Sequence, residues 1–327
     1  MPRHHVFRWD LDKTYLQTPF ESLRGLVRTF FESAGSKVAY PGAAPVLRGI
    51  ARRPGHHLYI LSGSPKQMAK VLYTKLALDG VEPEEMTLKP SLEHLLKGRF
   101  RAIREQMGYK LPALLESRTR APVGSAETLV GDDAELDPLI YSLYADLLAR
   151  RIGAETLELV LAEAGVEEEE RETARANLGL APPDRGVERI LIRLARETPP
   201  AELSVYGRRL VPVRDYFQIA LLLFEAGRLG PVAVAEAARD VAAAGGGSGV
   251  VAESGVELVQ RGAVEPAAVR AWLAAIPDST WEIRRPLLDA LELAATEEDA
   301  ALPPSPDTTP DYLALYRSLR ASKARVS

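Results

Sequence analysis

Short apolar runs that end in polar residues alternate with amphipathic segments through the first half of the chain. The runs have the length and composition of buried strands, and they lie at residues 6–10, 58–62, 86–88 and 128–131. Apolar residues at three- and four-residue spacing predict helices at residues 21–33, 43–52, 65–78 and 92–107, with a short helix at 113–117. This alternation is typical of a doubly wound parallel sheet, a Rossmann-like α/β fold, whose site lies at the carboxyl edge of the strands.

From about residue 151 the pattern becomes helical, with breaks at Gly and Pro. Helices are predicted at residues 154–164, 167–178, 186–197, 213–226, 231–243, 265–275 and 278–295. Residues 302–310 are Pro-rich and predict a linker, and residues 311–323 predict a final amphipathic helix. We therefore expect an α/β domain over residues 1–150, an all-helical accessory domain over 151–300, and a linker with a C-terminal helix over 301–327. That last helix either docks on the protein's own helical domain or contacts a membrane or partner.

Composition limits the classes of protein that fit. The 327 residues include no cysteine, so neither a disulfide framework nor a thiolate site is expected. The net charge of −4 argues against general nucleic-acid binding. No apolar stretch reaches the roughly 18 residues that span a bilayer, and the first residues lead directly into a strand without a signal peptide. We expect a cytoplasmic protein without a transmembrane segment.

Two carboxylates at the end of the first strand are the most informative chemical feature. Asp10 and Asp12 are separated by one residue, so an extended backbone places both side chains on one side. Two crowded carboxylates are tolerated when a divalent cation neutralises them or when one holds a proton. Both conditions suit phosphoryl transfer through an aspartyl phosphate. A plain strand end followed by a polar turn is the alternative interpretation.

Further polar groups follow the other predicted strands in an order that suits a metal-assisted phosphate site. The second strand ends in hydroxyl residues around Ser62, and the fourth ends in an acidic cluster that contains Asp132 and Asp137. Between them Lys110 precedes the predicted short helix at 113–117. Lys89 competes with Lys110 as the lysine that faces phosphate, and the position of Lys110 ahead of the acidic cluster favours it.

These blocks resemble the four motifs of the haloacid dehalogenase superfamily. Within it, the chain is similar to the catalytic domain of the actin-patch phosphatidate phosphatases and, more distantly, the lipins. The motifs are W-D-L-D-K-T at residues 9–14, L-S-G-S-P at 61–65, L-K-P at 88–90, G-Y-K-L at 108–111 and V-G-D-D-A-E-L-D-P-L-I-Y at 130–141. The resemblance covers about residues 1–150. Lys13 stands where such lipid phosphatases often carry a third acid, which weakens the specific case for phosphatidate.

The resemblance implies a role for each motif residue. Asp10 would be the nucleophile, and Asp12 would protonate the leaving oxygen and then deprotonate the hydrolytic water. A dehalogenase needs no acid at the position of Asp12, so a phosphatase is favoured. The residues placed against the phosphoryl group are Thr14, Ser62, Gly63 and Lys110.

The resemblance also implies a Mg²⁺ ion, which prefers oxygen ligands. The implied ligands are Asp10, the backbone carbonyl of Asp12, and Asp132. Asp133 is an alternative to Asp132, because G-D-D can present either carboxylate, and we favour Asp132. With Asp132 as the ligand, Asp133 and Asp137 would lie around the metal without binding it directly, and Asp137 would orient Lys110 or a metal-bound water.

The sequence thus predicts a Mg²⁺-dependent phosphomonoester hydrolase. Phosphatidate or a related lipid phosphate is the first substrate hypothesis. Only short segments separate the motifs, so no large cap domain is expected, and an open site also suits a protein or nucleic-acid-end phosphatase. A third hypothesis is a non-catalytic protein that binds a protein partner through its helical domain. The intact set of motif residues argues against the third hypothesis.

Overall fold

Six parallel strands form a sheet in the part of the chain that the structure describes. The structure is a computed structural model and describes residues 4–17, 35, 37–89, 99–182, 186–276, 281–294 and 309–325. The strands are β1 (His5–Trp9), β2 (His56–Pro65), β3 (Glu85–Lys89), β4 (Ala126–Asp132), β5 (Val187–Arg193) and β6 (Leu210–Val213). Their order in the sheet is β3-β2-β1-β4-β5-β6, and each neighbouring pair is parallel.

Helices cover both faces of this sheet. In chain order they are α1 (Ala43–Ala51), α2 (Ala69–Leu78), α3 (Arg99–Arg120), α4 (Asp137–Leu148), α5 (Ala154–Glu163), α6 (Glu168–Leu180), α7 (Tyr216–Glu225), α8 (Pro231–Gly245), α9 (Ser248–Gln260), α10 (Pro266–Ala275), α11 (Trp281–Ala294) and α12 (Tyr312–Arg325). Short 3₁₀ segments at Lys66–Met68 and Pro200–Tyr206 contribute to the connections.

Each face of the sheet packs into its own apolar core. Phe7 and Trp9 of β1 enter the core that α1, α2 and α7 to α11 share. Leu129 of β4 enters the opposite core, which α3 to α6 and α12 share. Because both faces are covered, every residue of β1 and β4 is buried. This explains why the strands read as continuous apolar runs rather than as alternating patterns.

The predicted doubly wound α/β architecture is confirmed. The four predicted strands correspond to β1 to β4, each longer or shifted by one to three residues at its ends. A predominantly helical region follows the last strand, β6. No helix among the described residues combines the length and apolar character needed to cross a bilayer.

The prediction of a helix at residues 186–197 is wrong, because this segment contains β5. Its central residues Ile190, Leu191 and Ile192 are all buried, and β5 pairs with both β4 and β6. Spacing alone does not separate so short an apolar run from a buried helix. Isoleucine also favours strands, since its branched side chain packs well on a pleated surface.

The expected break around Lys110 is also wrong. The sequence predicts separate helices at residues 92–107 and 113–117, but α3 runs continuously through Lys110 and contains Pro112. Proline lacks a backbone N–H and usually interrupts a helix, yet Pro112 lies inside α3. The continuous helix instead presents Lys110 from the middle of a rigid element.

The sheet extends past the predicted domain boundary. A boundary at residue 150 would separate β5 and β6 from the four strands with which they share the sheet. The expectation of an all-helical chain from residue 151 is therefore wrong for residues 187–213. The division into domains stays a prediction.

Some sequence predictions concern residues beyond the described part of the chain. The predicted helix at 21–33 and nearly all of the linker at 302–310 lie there. The C-terminal helix α12 packs on the protein itself: Tyr312 and Tyr316 are buried in the core shared with α3 to α6. The hydroxyl of Tyr312 donates to Asp146 of α4 at 2.6 Å.

Candidate active site

Polar side chains from three strands meet at the carboxyl edge of the sheet. Asp10 directly follows β1, and its backbone N–H donates to the carbonyl oxygen of Val130 at 2.9 Å. Ser62 lies in β2, and Asp132 is the last residue of β4. Because β1 lies between β2 and β4, Asp10 occupies the centre of this edge. The order of the strands thus explains why these side chains meet at the carboxyl edge, where the sequence predicts the site.

Lys110 reaches this edge from α3. Its ammonium nitrogen lies 3.0 Å from Asp10 Oδ1, 2.6 Å from Asp137 Oδ1 and 3.2 Å from Glu135 Oε2. The side chain is fully buried. Burial alone would lower the pKa of Lys110, but Asp10 and Asp137 raise the pKa well above its ordinary value. The lysine is therefore a fixed positive charge against the candidate nucleophile.

A cluster of buried carboxylates surrounds that charge. Asp10, Asp132 and Asp137 are fully buried, and each offers one oxygen within 4.8 Å of the others. Burial, followed by the charges of Glu135 and Asp137, raises the pKa of Asp132 to about 8. Burial likewise raises the pKa of Asp10, against the opposing effect of Lys110. The single ammonium group of Lys110 does not balance three carboxylates if all of them are ionised.

The cluster fits a divalent cation. Asp10 Oδ2 is buried and has no hydrogen-bond partner among the described residues, although Oδ1 of the same group binds Lys110. A buried carboxylate oxygen without a partner is costly unless a ligand or an ion reaches it. The donors are all carboxylate oxygens, which suit hard cations such as Mg²⁺. The cluster could hold a metal, and Asp137 belongs to it geometrically in addition to the predicted ligands Asp10 and Asp132.

The two neighbouring aspartates after β4 point to different partners. Asp132 Oδ1 accepts the backbone N–H of Ala134 at 2.6 Å, and its Oδ2 accepts the hydroxyl of Thr14 at 3.2 Å. Asp133 instead accepts the backbone N–H groups of Arg196 at 2.8 Å and Thr198 at 3.2 Å. The carboxylate of Asp133 thus supports the loop after β5. Asp132 is the member of the pair that joins the buried cluster.

Asp12 is held by two serine hydroxyls from β2. Ser62 Oγ donates to Asp12 Oδ2 at 3.0 Å, and Ser64 Oγ donates to the same oxygen at 2.7 Å. A shift in the β2–β3 register between Ser62 and Pro65 brings both hydroxyls to this side. Between them Gly63 faces open space, since a Cβ built there would meet no atom within 4 Å. The pair of serines fixes the carboxylate that is predicted to transfer protons.

Two members of the site were not singled out from the sequence. Ser64 stands in the L-S-G-S-P motif, and its hydroxyl could have been considered beside that of Ser62. Glu135 stands in the acidic motif, where it lies 3.2 Å from Lys110 Nζ and 3.8 Å from Lys13 Nζ. Lys13 thereby brings a positive charge to the edge of the acidic cluster.

Two further residues reach the site from the second half of the chain. Arg193 donates to the carbonyl oxygen of Lys13, and Tyr216 donates to that of Thr14. They stand 180 and 202 positions away from their partners along the chain. No short-range sequence signal identifies such contacts.

Comparison with known families supports the resemblance stated above. Residues 9–155 match the model described as "Phosphatidate phosphatase APP1, catalytic domain". No curated protein and no solved structure matches the chain significantly. The matched segment contains the whole predicted site, from Asp10 to Asp137. The chain is therefore a phosphatase whose residues 9–155 are similar to the catalytic domain of the APP1 phosphatidate phosphatases, in agreement with the predicted resemblance to lipin-like phosphatases of the haloacid dehalogenase type.

Proposed function

We propose that this phosphatase hydrolyses phosphate monoesters through an aspartyl phosphate formed on Asp10. The observation that carries the proposal is the asymmetry of the Asp10 carboxylate. Oδ1 is fixed by Lys110 at 3.0 Å, while Oδ2 is buried without a hydrogen-bond partner in the described structure. One oxygen is thus anchored and the other is available to attack phosphorus.

In the first step Asp10 Oδ2 attacks phosphorus as the bond between phosphorus and the leaving oxygen breaks. Asp12 donates a proton to that oxygen, which departs as an alcohol. Lys110 offsets the negative charge of the phosphoryl group as it reaches Asp10. Ser62 and Ser64 keep the Asp12 carboxyl group in place during the transfer.

In the second step water displaces Asp10 from phosphorus. Asp12, now ionised, takes a proton from the water, whose oxygen bonds to phosphorus as the bond from phosphorus to Asp10 breaks. Inorganic phosphate leaves, and both carboxyl groups return to their starting states. Because Asp12 gives one proton to the leaving alcohol and then takes another from the water, one residue serves both steps.

Mg²⁺ is the metal that we propose for the acidic cluster. Asp10 and Asp132 would hold it, together with the backbone carbonyl of Asp12 and, directly or through water, Asp137. When bound, the ion supplies positive charge that neutralises the carboxylates and the phosphoryl oxygens. The closeness of the three buried carboxylates and the raised pKa of Asp132 both support a cation in this place.

Phosphatidate or a related lipid phosphate is the substrate class that we propose first. The support is the match of residues 9–155 to a family model whose description names phosphatidate as the substrate. The net charge of −4 gives no overall attraction to anionic membranes, so a lipid substrate requires a local binding surface. Phosphoproteins and nucleic-acid ends are the alternative macromolecular substrates.

A phosphate-release screen with Mg²⁺ tests the proposal. Wild type is compared with Asp10→Asn on lipid, sugar, nucleotide and phosphopeptide esters, and Asp289→Asn serves as an exposed control on α11. We expect Asp10→Asn to lose at least about 10³-fold of kcat, because the amide is a poor nucleophile. Chelation should abolish wild-type turnover, and added Mg²⁺ should restore it. Unchanged activity in Asp10→Asn would refute the proposed nucleophile.

A further inference from the structure

The loop that carries Asp12 is held in place from outside the matched catalytic segment. We call residues 11–16 the catalytic loop. Within it, the backbone N–H groups of Tyr15 and Leu16 both donate to the carbonyl oxygen of Leu11, at 2.9 and 2.8 Å. The loop therefore closes on itself, while the carbonyls of Lys13 and Thr14 turn to partners outside it.

Arg193 binds the first of these carbonyls. It is the last residue of β5, directly opposite Asp132 in the register of β4. Its Nε donates to the carbonyl oxygen of Lys13 at 2.9 Å, and Nη2 donates to the same oxygen. The guanidinium carbon lies 3.7 Å from the ring centre of Tyr40, which fixes the plane of the fork.

Tyr216 binds the next carbonyl. Its hydroxyl, at the start of α7, donates to the carbonyl oxygen of Thr14 at 2.9 Å and accepts the indole N–H of Trp9 at 3.2 Å. The rings of Trp9 and Tyr216 also stack, with centres 6.1 Å apart. Trp9 directly precedes Asp10, so one buried hydroxyl is connected to both sides of the nucleophile.

The loop needs such support because its backbone is unusual. Lys13 has a φ of 60°, a left-handed conformation that residues with a side chain rarely adopt. Such conformations persist where the surrounding structure determines them. Thr14, the next residue, carries the hydroxyl that donates to Asp132. A change in the Lys13 backbone would therefore displace both Asp12 and a partner of the acidic cluster.

We propose that Arg193 and Tyr216 are positioning residues for the phosphatase reaction. They hold the carbonyls of Lys13 and Thr14, and thereby fix the loop between the nucleophile and the proton-transferring Asp12. The catalytic part of this proposal rests on the function proposed above. Both residues lie beyond residue 155, so the matched segment depends on β5 and α7 for its geometry.

Conservative variants test this role. Arg193→Lys keeps the charge but loses the planar fork, and Tyr216→Phe removes only the hydroxyl. Two changes elsewhere serve as matched controls. Arg261→Lys alters another largely buried arginine that donates to a carbonyl, that of Pro212 at 3.0 Å, and Tyr144→Phe removes another buried hydroxyl.

Hydrogen exchange at the catalytic loop gives a readout that does not require activity. We expect the amides of Tyr15 and Leu16 to exchange at least about tenfold faster in Arg193→Lys and Tyr216→Phe, and at the wild-type rate in both controls. In turnover of an aryl phosphate, kcat should fall about 10- to 100-fold in the two loop variants, with a smaller change in KM.

Chemical rescue adds a second specific readout. Arg193 and Tyr216 line a cavity of about 240 Å³ together with Tyr40, so a small molecule has room to reach the place of the Arg193 side chain. Ethylguanidine should restore part of the kcat of Arg193→Ala, while ethylamine, which lacks the fork, should not. Restoration by both compounds equally would contradict a role for the guanidinium geometry.

The outcomes separate the two proposals. Loop amides that exchange at the wild-type rate in both Arg193→Lys and Tyr216→Phe would overturn the positioning role. Equal loss of kcat in Arg261→Lys or Tyr144→Phe would overturn it as well, since the effect would then be global. If the wild type hydrolyses no ester in the screen, the proposed function is refuted. Faster hydrogen exchange of the loop amides in the two variants would still support the role of Arg193 and Tyr216 in positioning the loop.

Discussion

The ammonium nitrogen of Lys110 lies 3.0 Å from Asp10 Oδ1, although 100 positions separate the two residues in the chain. The contact joins the middle of α3 to the end of β1, and both side chains are buried. The same nitrogen binds Asp137 and Glu135, so it is shared among three carboxylates. Lys110 therefore serves the stability of the site as well as its chemistry.

Replacing Lys110 by Met should harm both properties. We expect kcat to fall about 10²- to 10³-fold, because a preorganised charge beside the phosphoryl group is lost. The free energy of unfolding should fall by about 3 kcal/mol, since the change leaves buried carboxylates without their cation. Phosphate release and urea denaturation measure the two effects. Arg285→Met, at an exposed ion pair on α11, should change stability by less than about 1 kcal/mol; a similar loss in both variants would contradict the assigned role.

Asp12 should reveal its role through the leaving group. Asp12→Asn removes the proton donor, and an alkyl phosphate needs that proton more than an activated aryl phosphate does. We expect a loss of about 10²- to 10⁴-fold with the alkyl ester and a clearly smaller loss with p-nitrophenyl phosphate. Steady-state kcat on both esters measures this difference. Equal losses would argue against proton donation by Asp12.

The sequence predicts the site because its residues stand at strand ends. Asp10 and Asp132 follow continuous apolar runs, and parallel strands bring their carboxyl ends to one edge. The predictions for β1, β2 and β4 needed only those runs. Which of Asp132 and Asp133 joins the acidic cluster depends on the loop after β5, whose backbone N–H groups bind Asp133. The apolar runs carry no information about that contact.

The sequence predicts less where tertiary contacts decide the outcome. The sequence predicts separate helices before and after Lys110, yet α3 is continuous and buries Leu111 and Leu114 in the core. The apolar run of β5 is too short to distinguish a strand from a helix, so the extension of the sheet past residue 150 was missed. Arg193 and Tyr216 donate hydrogen bonds to backbone carbonyls, and the side chain of any other arginine or tyrosine is chemically able to do the same. Only the fold selects them.

A buried ion network around Glu127, near the amino end of β4, should support stability without affecting catalysis. Glu127 of β4 accepts hydrogen bonds from Arg8, Arg118 and Tyr144 at 2.8 to 3.0 Å. Burial alone would raise the pKa of Glu127, but Arg8 and Arg118 bring the pKa below its ordinary value. The carboxylate is therefore ionised and paired within the core.

Glu127→Gln should lower the free energy of unfolding by about 3 to 5 kcal/mol, because two buried guanidinium groups lose their counter-charge. The kcat of the folded fraction should stay within about twofold of wild type, as Glu127 lies near the amino end of β4 and its partners are not members of the acidic cluster. Urea denaturation and phosphate release test the two statements. Glu116→Gln, at a mostly exposed pair with Arg120, is the control and should cost less than about 1 kcal/mol.

His5 should make the fold sensitive to acid. Burial, assisted by the charge of Arg228, lowers the pKa of His5 from 6.5 to about 3. The unfolded chain then binds a proton near pH 6.5 that the folded chain does not bind until near pH 3. Stability is therefore fully present above pH 6.5 and is lost as the pH falls, by up to about 1.4 kcal/mol per pH unit.

Chemical denaturation between pH 7 and 4 measures this dependence. His5→Gln removes the titrating ring, and we expect the slope of unfolding free energy against pH to become shallower by close to one proton. The variant loses the ring nitrogen that lies 2.9 Å from Thr128 Oγ1, so its stability at pH 7 should also fall by about 1 kcal/mol. An unchanged slope would show that the folded protein binds this proton as readily as the unfolded chain.

Gly131 should be required for the geometry of the acidic cluster. A Cβ at this position would lie 2.3 Å from Asp137 Oδ2 and 2.8 Å from Asp137 Cγ. Because Asp137 packs on the backbone of β4 and holds Lys110 at 2.6 Å, Gly131→Ala must displace the carboxylate from the lysine. We expect kcat to fall about 10- to 100-fold, as for the loss of a group that orients a catalytic residue.

The matched control for this change is Gly255→Ala on α9, where the added Cβ would lie 2.8 Å from Leu287 Cδ1 in the core beside α11. That variant suffers comparable crowding far from the acidic cluster, so it should lose stability of about 1 to 3 kcal/mol while the folded protein keeps its kcat. Thermal unfolding and phosphate release on both variants separate the effects. If Gly131→Ala lost only stability, as Gly255→Ala is expected to do, the contact between Asp137 and Lys110 would have no part in turnover, and the charge on Lys110 would have to be oriented by Asp10 and Glu135 alone.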